Sequence, residues 1–295
     1  MTSNVIVWFR NDLRLSDNPA LVKAVHTGNV LPIYIYDDAN PKEAQPGSAS
    51  RVWLHHSLKS LNKSLDNRLA FFKGDPLDLI PKLVAQYQIS HVFWNRQYEP
   101  WAIARDKLVK KCLKESKLNV ESHNGSLLWE PWNINKADGT PYRVFTPFYR
   151  KGCLSSTEPR KPIPEPKNIK YIEHQERNAL DEIGLLPQTP WHKSLLSHWK
   201  IGEKGAQKRL QNFIDNGISR YKEGRNFPSK PYVSYISPHL HFGEISPNQA
   251  WHKARDLPAD SNVDHFCSEL GWREFSHNLL FHNPELPKKN LQTKF

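Results

Sequence analysis

The chain has 295 residues, a length that suits two domains, and 38% of them are hydrophobic, which argues against global disorder. Lysine and arginine number 41 against 30 acidic residues, giving a formal charge of +11, and this excess predicts a polyanionic partner, most simply nucleic acid. Three widely spaced cysteines match neither a disulfide framework nor a zinc pattern, and no apolar run is long enough to span a membrane. No secretory leader precedes the first apolar run, so we expect a protein of the reducing cytoplasm, without a membrane and without an obligate protein partner.

The first part of the chain, residues 1–127, alternates strand and helix patterns. Short apolar runs predict five buried parallel strands, and segments with helical spacing lie between them. The predicted strands are Val5–Phe9, Val30–Tyr36, Arg68–Phe72, His91–Trp94 and Leu118–Ser122; the predicted helices begin near Pro19 and cover Ser48–Leu65, Pro76–Tyr87 and Pro100–Glu115. This alternation predicts an α/β fold with a doubly wound parallel sheet, whose ligands lie beyond the carboxyl ends of the strands. No GxGxxG motif follows the first strand, so the usual dinucleotide-binding version is not expected.

The loop that leaves the first strand, WFRNDLRLSDNPAL (Trp8–Leu21), is rich in charged residues. It carries Arg10, Asp12, Arg14 and Asp17. Charged groups at the edge of a sheet need partners if they are buried. We expect these four side chains to form a structural network of ion pairs that joins two domains, rather than a catalytic group.

Regular periodicity fades over residues 128–196, where prolines cluster in EPRKPIPEPKN (Glu158–Asn168). This texture predicts an interdomain linker, partly ordered by its aromatic residues. Helical patterns dominate residues 197–295, which predicts part of an all-α domain. The chain shows no internal repeat and no spacing typical of a Ser-His-Asp triad.

Two segments of the helical part offer polar groups for a ligand. Ile218–Pro228 carries Tyr221 and Arg225, and PYVSYISPHLHFGEISP (Pro231–Pro247) places Ser234 three residues before Ser237. A Ser-Pro helix start presents free amides and a hydroxyl, which suits a phosphate or pyrophosphate. Ordinary capping of the helix by serine is the alternative.

The final helical pattern contains FCSELGWREFSHNLL (Phe266–Leu280). At about 100° per residue it forms two adjacent arcs. The first arc is apolar and the second is polar and aromatic; they comprise Val263, Phe266, Cys267 and Leu270, and Glu269, Trp272, Arg273 and Ser276. A carboxylate and a guanidinium beside a core-facing arc are costly to bury unless a polar ligand meets them. The alternative is an ordinary Glu–Arg pair on a solvated helix.

Four segments together resemble the DNA photolyase/cryptochrome family, with class I-like cyclobutane pyrimidine dimer photolyases as the nearest branch. They are WFRNDLRLSDNPAL, YRVFTPFYR (Tyr142–Arg150), SYISPHLHFGEISP and ELGWREF. The resemblance runs from residue 5 to the end of the chain. It implies an α/β antenna domain, a linker and a helical FAD-binding domain. It also implies a light-driven carbon–carbon lyase, in which reduced FAD donates an electron to a pyrimidine dimer flipped out of DNA.

The resemblance assigns roles to single residues. Glu269, beside the flavin and the dimer, and Trp272, which packs on the flipped lesion, are the implied catalytic residues. The implied FAD contacts are Tyr221, Val233, Ser234, Ile236, Ser237, Phe266, Glu269 and Arg273, with the two serines at the pyrophosphate. The implied DNA contacts are Arg225, Trp272, Arg273 and Ser276, and no metal ligand is implied.

The antenna chromophore leaves alternatives open. Some relatives hold a folate with a Glu where this chain has Ala102, in YEPWAIARD (Tyr98–Asp106). Trp101 could stack on a pterin or simply pack in the core. We expect 5,10-methenyltetrahydrofolate first, with a deazaflavin or no antenna as alternatives.

The resemblance also raises a question of completeness, because relatives continue beyond the position that corresponds to Phe295. Their second half of the helical domain supplies the Asn near flavin N5, Asp residues beside the flavin and ribose, and a tryptophan chain for photoreduction. We therefore expect a fragment or a naturally shortened member, truncated within the FAD-binding domain and incomplete for autonomous repair. A cryptochrome-type blue-light photoreceptor, an inactive fragment and a DNA-binding module without cofactor are the competing hypotheses.

Overall fold

A five-stranded parallel sheet forms the first part of the molecule. The computed structural model describes residues 3–174 and 179–292, so the chain ends and four positions of the predicted linker lie outside the described residues. The strands are β1 (Ser3–Phe9), β2 (Gly28–Tyr36), β3 (Ala70–Lys73), β4 (Ile89–Asn95) and β5 (Asn119–His123). They lie in the order β3-β2-β1-β4-β5, and every pairing is parallel. The predicted doubly wound sheet is confirmed.

Both faces of the sheet are covered by helices. These are α1 (Pro19–Thr27), α2 (Ser48–Ser64), α3 (Pro76–Gln86) and α4 (Pro100–Glu115). Because side chains alternate along a strand, Val5, Val7 and Phe9 of β1 enter a core with α1 and α2. Ile6 and Trp8 enter the opposite core with α3 and α4. All five side chains are completely buried, which explains why β1 has an unbroken apolar sequence.

The predicted helix start after the first strand is also confirmed. Asn18 caps α1 by accepting a hydrogen bond from the backbone N–H of Leu21 at 3.1 Å, and Pro19 is the first helical residue. Asp75 caps α3 in the same way, with the N–H of Leu77 at 2.9 Å. Such caps satisfy amides that lack an intrahelical acceptor.

The rest of the described chain is helical and irregular. Its helices are α5 (Phe145–Pro147), α6 (His192–Ser197), α7 (Glu203–Asn216), α8 (Tyr221–Gly224), α9 (Ser237–His241), α10 (Pro247–Arg255) and α11 (Ser261–His282), and a π-helical segment covers Phe148–Cys153. Leu128, Trp129 and Phe148 pack into the same core as α7, α10 and α11. Ile183 and Leu185 pack instead into the core between the sheet and α2. The predicted linker is thus divided between two cores.

The charged loop after β1 connects the sheet to the helical part through Arg14 and Asp17. Arg10 instead pairs with Asp106, and Asp12 accepts a hydrogen bond from Asn95, both within the sheet part, so the predicted joining network is confirmed in part. Arg14 is buried and donates to the carbonyl oxygens of Gly243 at 2.9 Å and Gly125 at 2.6 Å. The carboxylate of Asp17 accepts hydrogen bonds from Ser246 and Arg160. The side chains find these partners in other segments, because the loop lies pressed between the two parts.

Gly243 shows how closely the two parts approach. Its φ of +69° lies in the left-handed region, and an added Cβ would come 2.0 Å from the carbonyl oxygen of Asn11. Only glycine tolerates both conditions. Leu13 completes the contact by donating its backbone N–H to Phe242 at 3.2 Å.

No helix within the described ranges combines the length and the apolar character needed to cross a bilayer. Cys112, Cys153 and Cys267 are all unpaired.

Candidate functional site

A pocket of about 460 Å³ lies between the carboxyl ends of β1 and β4 and the helical part. Its volume falls in the range of about 300–1,000 Å³ that is usual for small-molecule sites. Seven of the eight predicted cofactor residues line it: Tyr221, Ser234, Ile236, Ser237, Phe266, Glu269 and Arg273. Val233 is partly buried in the same segment but is not among the lining residues. Residues far apart in the sequence are thus brought together in one pocket.

Helix α11 supplies the wall of this pocket. The predicted apolar arc is confirmed, since Val263, Phe266, Cys267 and Leu270 are each 4% exposed or less. Phe266 also joins the core to the pocket, because its ring contacts Phe213 at 5.0 Å while it lines the cavity. A buried arc on one side fixes which side chains of α11 face the cavity.

The second arc of α11 is divided between two environments. Glu269 and Arg273 line the pocket, whereas Trp272 and Ser276 lie outside it on the exposed side. The Oγ of Ser276 donates to the carbonyl oxygen of Trp272 at 2.9 Å, within the helix itself. The arc therefore does not face the cavity as one surface, because i and i+3 positions differ by about 60° around a helix.

Glu269 forms an ion pair with Arg225, which follows α8. Both side chains are 30% exposed; Glu269 lines the pocket, whereas Arg225 is not among the lining residues. The hydrogen bond to Glu269 raises the pKa of Arg225. His265 lies one turn before Glu269, with its Nε2 atom 3.9 Å from the carboxylate. The predicted catalytic carboxylate and one predicted DNA contact are therefore a single bonded unit.

Arg273 is held in place by a buried carboxylate that the sequence analysis did not single out. It donates to Glu274 at 3.0 Å and to the carbonyl oxygen of Ser126 at 2.8 Å. Glu274 also accepts the backbone N–H groups of Leu128 at 2.8 Å and Trp129 at 3.2 Å. Burial raises the pKa of Glu274 to about 7, although Arg273 and the two amides act in the opposite direction. The sequence did contain a signal for Glu274: an acidic residue between Arg273 and Phe275 in the final helical pattern.

The segment around the two serines differs from an ordinary helix start. Ser237 is the first residue of α9, Ile236 occupies the cap position, and no side chain caps the helix. The alternative of ordinary capping by serine is therefore wrong at α9. His239 is a core residue, completely buried and hydrogen-bonded to Glu244. His241 lines the pocket, and burial lowers its pKa.

The sheet supplies pocket residues that the sequence analysis missed. They are Asn11, after β1, and the run Arg96–Glu99, after β4. Tyr98 and Arg96 both donate to Glu130, each at 2.7 Å, which fixes this run against the start of the predicted linker. The expectation that ligands of a doubly wound sheet lie beyond the carboxyl ends of its strands could have found them.

Trp101, the predicted antenna residue, lies on α4 and is partly buried. The guanidinium carbon of Arg105 is 5.0 Å from the centre of its ring, and the same guanidinium is 4.7 Å from the ring of Trp8. One face of the Trp101 indole is therefore covered by a cation. Ala102, where some relatives place a Glu, is completely buried.

In the described part of the chain, no group of three or more His, Cys, Asp or Glu residues has an arrangement that could hold a metal ion. The pocket instead combines aromatic and aliphatic walls with hydroxyl, guanidinium and carboxylate groups. Such a set suits a flat organic ligand with anionic groups.

Comparisons with known proteins agree with this picture. The family model for DNA photolyase matches residues 5–167. The chain is 44% identical to a deoxyribodipyrimidine photo-lyase of Agrobacterium fabrum, over 100% of the chain and 62% of that protein. It is 31% identical to Cryptochrome-2 of Arabidopsis thaliana, over 99% of the chain and 51% of that protein. The chain thus spans between half and two thirds of these two relatives.

One solved structure is similar over the whole chain. It is a bacterial class III photolyase from Agrobacterium tumefaciens, with a TM-score of 0.94 and 42% sequence identity, covering 100% of this chain and 62% of that one. The sheet and the helical part described above are therefore arranged as in that protein.

Proposed function

Because the chain belongs to the DNA photolyase family, we propose that it serves the light-driven repair of cyclobutane pyrimidine dimers by electron transfer from reduced FAD. The observation that carries this proposal is the pocket of about 460 Å³, which gathers seven side chains expected to contact the cofactor. The chain spans 62% of the photo-lyase that it matches, so the whole repair activity is a proposal.

The residues present fit the flavin cofactor in their chemistry. Tyr221, Phe266 and Leu270 offer aromatic and aliphatic surface for a flat ring system, and Ser234 and Ser237 offer hydroxyl donors for a pyrophosphate. When bound, reduced FAD supplies the electron for cleavage of the dimer. The chain's own residues would bind and orient the cofactor and exclude water from it.

Two charged residues of the wall, Glu269 and Arg273, and the exposed Trp272 have roles in this proposal. Glu269, paired with Arg225, is an acceptor for an N–H group of a flipped base. Arg273, fixed by Glu274 and Ser126, keeps its guanidinium at the pocket. Trp272, 45% exposed, offers an aromatic face on which a base can stack. The formal charge of +11 favours approach to DNA.

Within the family, the class III photolyases are the branch we favour. The motifs alone indicated a class I-like photolyase, whereas the solved structure that is 42% identical over the whole chain is a class III photolyase. For the antenna we keep 5,10-methenyltetrahydrofolate as the first expectation and a deazaflavin as the second. With one face of Trp101 covered by Arg105, a single face of that indole could meet a pterin.

A second candidate is a photoreceptor of the cryptochrome type, favoured by the 31% identity to Cryptochrome-2. Such a photoreceptor would use the same flavin pocket but would not split dimers. The exposed Trp272 and the excess of basic residues support repair over signalling.

The first experiment is to purify the chain, add FAD, and measure the bound flavin by its absorption after release. Ser237→Trp would fill the pocket and should abolish flavin binding, whereas Ser155→Trp, at an exposed serine outside the pocket, should not. Flavin binding that is equal in both variants, or absent in the unchanged chain, would contradict this cofactor site. An oligonucleotide that carries one cyclobutane dimer is then illuminated with blue light. Splitting of the dimer indicates repair, and its absence indicates photoreception.

A further inference from the structure

A second groove lies on a different side of the helical part. It measures about 760 Å³ and is formed by α7 and α10, with Lys161 and Pro162 of the predicted linker at one end. It shares no lining residue with the flavin pocket. We call it the lysine groove after four of its lining residues, Lys161, Lys204, Lys208 and Lys253.

The two helices present matching faces to this groove. Lys204, Lys208 and Gln211 follow one another at intervals of four and three residues along α7, and Gln249 and Lys253 lie four residues apart on α10. Residues at these intervals lie on one side of a helix. The basic and amide groups of both helices therefore converge on one volume.

Among the described residues, the four ammonium groups have no acidic partner. Within residues 3–174 and 179–292, none of them lies within 4.0 Å of a carboxylate, and each of the four side chains is exposed. Asp256 is the single acidic residue among those that line the groove. Unpaired like charges around a shared volume repel one another, so an anionic ligand would find a strongly favourable potential there.

The floor and the amides of the groove are held in place by the protein. Leu210 and Ile245 are 4% and 1% exposed. The side chain of Gln249 accepts the backbone N–H of Ser246 at 2.9 Å and donates to Ser16 Oγ at 2.8 Å. His252 donates from Nε2 to the carbonyl oxygen of Pro159 at 3.0 Å. A binding surface with fixed walls loses less conformational entropy when a ligand binds.

We propose that the lysine groove binds the phosphate groups of an anionic ligand that carries at least two phosphates. Lysine ammonium groups bind phosphate as mobile point charges, and carboxamides add hydrogen bonds to its oxygens. Because the four cations are spread over the groove, a ligand with several phosphates matches them better than a ligand with a single phosphate. The ligand is either a free polyphosphate such as a nucleotide or the phosphodiester backbone of a nucleic acid. This site is additional to the flavin pocket and to the exposed Trp272.

The test compares two triple variants. Lys204→Gln/Lys208→Gln/Lys253→Gln removes three charges from the groove, and Lys82→Gln/Lys107→Gln/Lys114→Gln removes three from exposed positions on α3 and α4. The probes are inorganic triphosphate, followed by calorimetry, and an undamaged DNA duplex, followed by fluorescence anisotropy at several salt concentrations. Thermal unfolding of both variants checks that they remain folded.

We expect the groove variant to lose about tenfold or more in affinity for one probe, while the control loses about twofold. Loss for triphosphate identifies a free phosphorylated ligand. Loss for the duplex alone, with a salt slope lower by about one unit for each contacting lysine, identifies a nucleic-acid backbone. Equal losses in the two variants, or no binding of either probe by the unchanged chain, would overturn the proposal.

Discussion

The indole ring of Trp272 lies face to face with the phenyl ring of Phe145, with the ring centres 3.8 Å apart and the planes 12° apart. Phe275 meets the same indole edge-on at 5.9 Å. An exposed tryptophan is free to change rotamer, but this indole is held by two rings. Phe145, from the predicted linker, therefore orients the residue that we expect to stack on a lesion.

Replacing Trp272 tests its role in lesion binding. Because stacking of a base on an aromatic ring contributes about 1–3 kcal/mol, Trp272→Ala should lower the affinity for dimer-containing DNA by about tenfold or more. Fluorescence anisotropy with damaged and undamaged oligonucleotides measures the effect. Trp191→Ala is the matched control, since that indole is 42% exposed in the predicted linker. Equal losses in the two variants would count against a stacking role.

The pair of Glu269 and Arg225 should matter for activity more than for stability. We expect Glu269→Gln to lower the rate of dimer splitting by about tenfold, because a correctly placed acceptor for the flipped base is weakened. The free energy of unfolding should change by less than about 1 kcal/mol, since the pair is partly exposed to solvent. Asp264→Asn, which breaks the comparable pair with Arg255, provides the control. If the two variants repair dimers at the same rate, Glu269 has no catalytic role.

The buried carboxyl of Glu274 predicts a dependence of stability on pH. Its pKa in the folded protein, about 7, lies above the value of about 4.3 expected in the unfolded chain. The folded state therefore holds the proton more tightly, and its advantage is present below pH 4.3 and is lost as the pH rises to about 7.

We expect the unfolding free energy of the natural chain, relative to Glu274→Gln, to fall by roughly 2 kcal/mol between pH 5 and pH 8. Urea unfolding at a series of pH values measures this difference. His277, whose pKa burial lowers to about 4, gives the opposite slope but is present in both proteins and cancels. Parallel curves for the two proteins would show that Glu274 does not titrate in this range.

Gly243→Ala tests the contact between the sheet and the helical part. The new Cβ would lie 2.0 Å from the carbonyl oxygen of Asn11 in a left-handed backbone, so we expect a loss of more than about 2 kcal/mol in unfolding free energy. Gly139→Ala isolates the strain, because Gly139 has a φ of +79° and nothing within 4 Å of its added Cβ. Its expected cost is about 1 kcal/mol. Chemical denaturation should show a larger loss of unfolding free energy for Gly243→Ala than for Gly139→Ala.

The strands of the sheet were predictable because each strand carries a local apolar pattern. The predicted and observed bounds of α4 are both Pro100–Glu115. The third strand begins later than predicted, at Ala70, because Arg68 is still part of a turn in which its backbone N–H bonds to Leu65 at 2.9 Å. Apolar composition alone does not show where such a turn ends.

The site was predicted in part, for a related reason. Glu269 and Arg273 were found from helical spacing, and Ser234 and Ser237 from a Ser-Pro motif. The run Arg96–Glu99 and the carboxylate of Glu274 were missed, because their roles depend on tertiary contacts with Glu130 and with the amides of Leu128 and Trp129. Periodicity describes one element at a time and does not show which distant backbone groups an element will meet.

The division of the predicted linker between two cores has a consequence for biosynthesis. The core between the sheet and α2 includes Ile183, Leu185 and Phe242, which leave the ribosome long after the last strand. Domains usually fold as units in the order of their synthesis. Here the five strands can form early, but one face of their sheet stays incompletely covered until residue 242 emerges. A nascent chain therefore exposes apolar surface of this sheet until residue 242 has emerged, and we expect chaperones at the ribosome to bind it during that time.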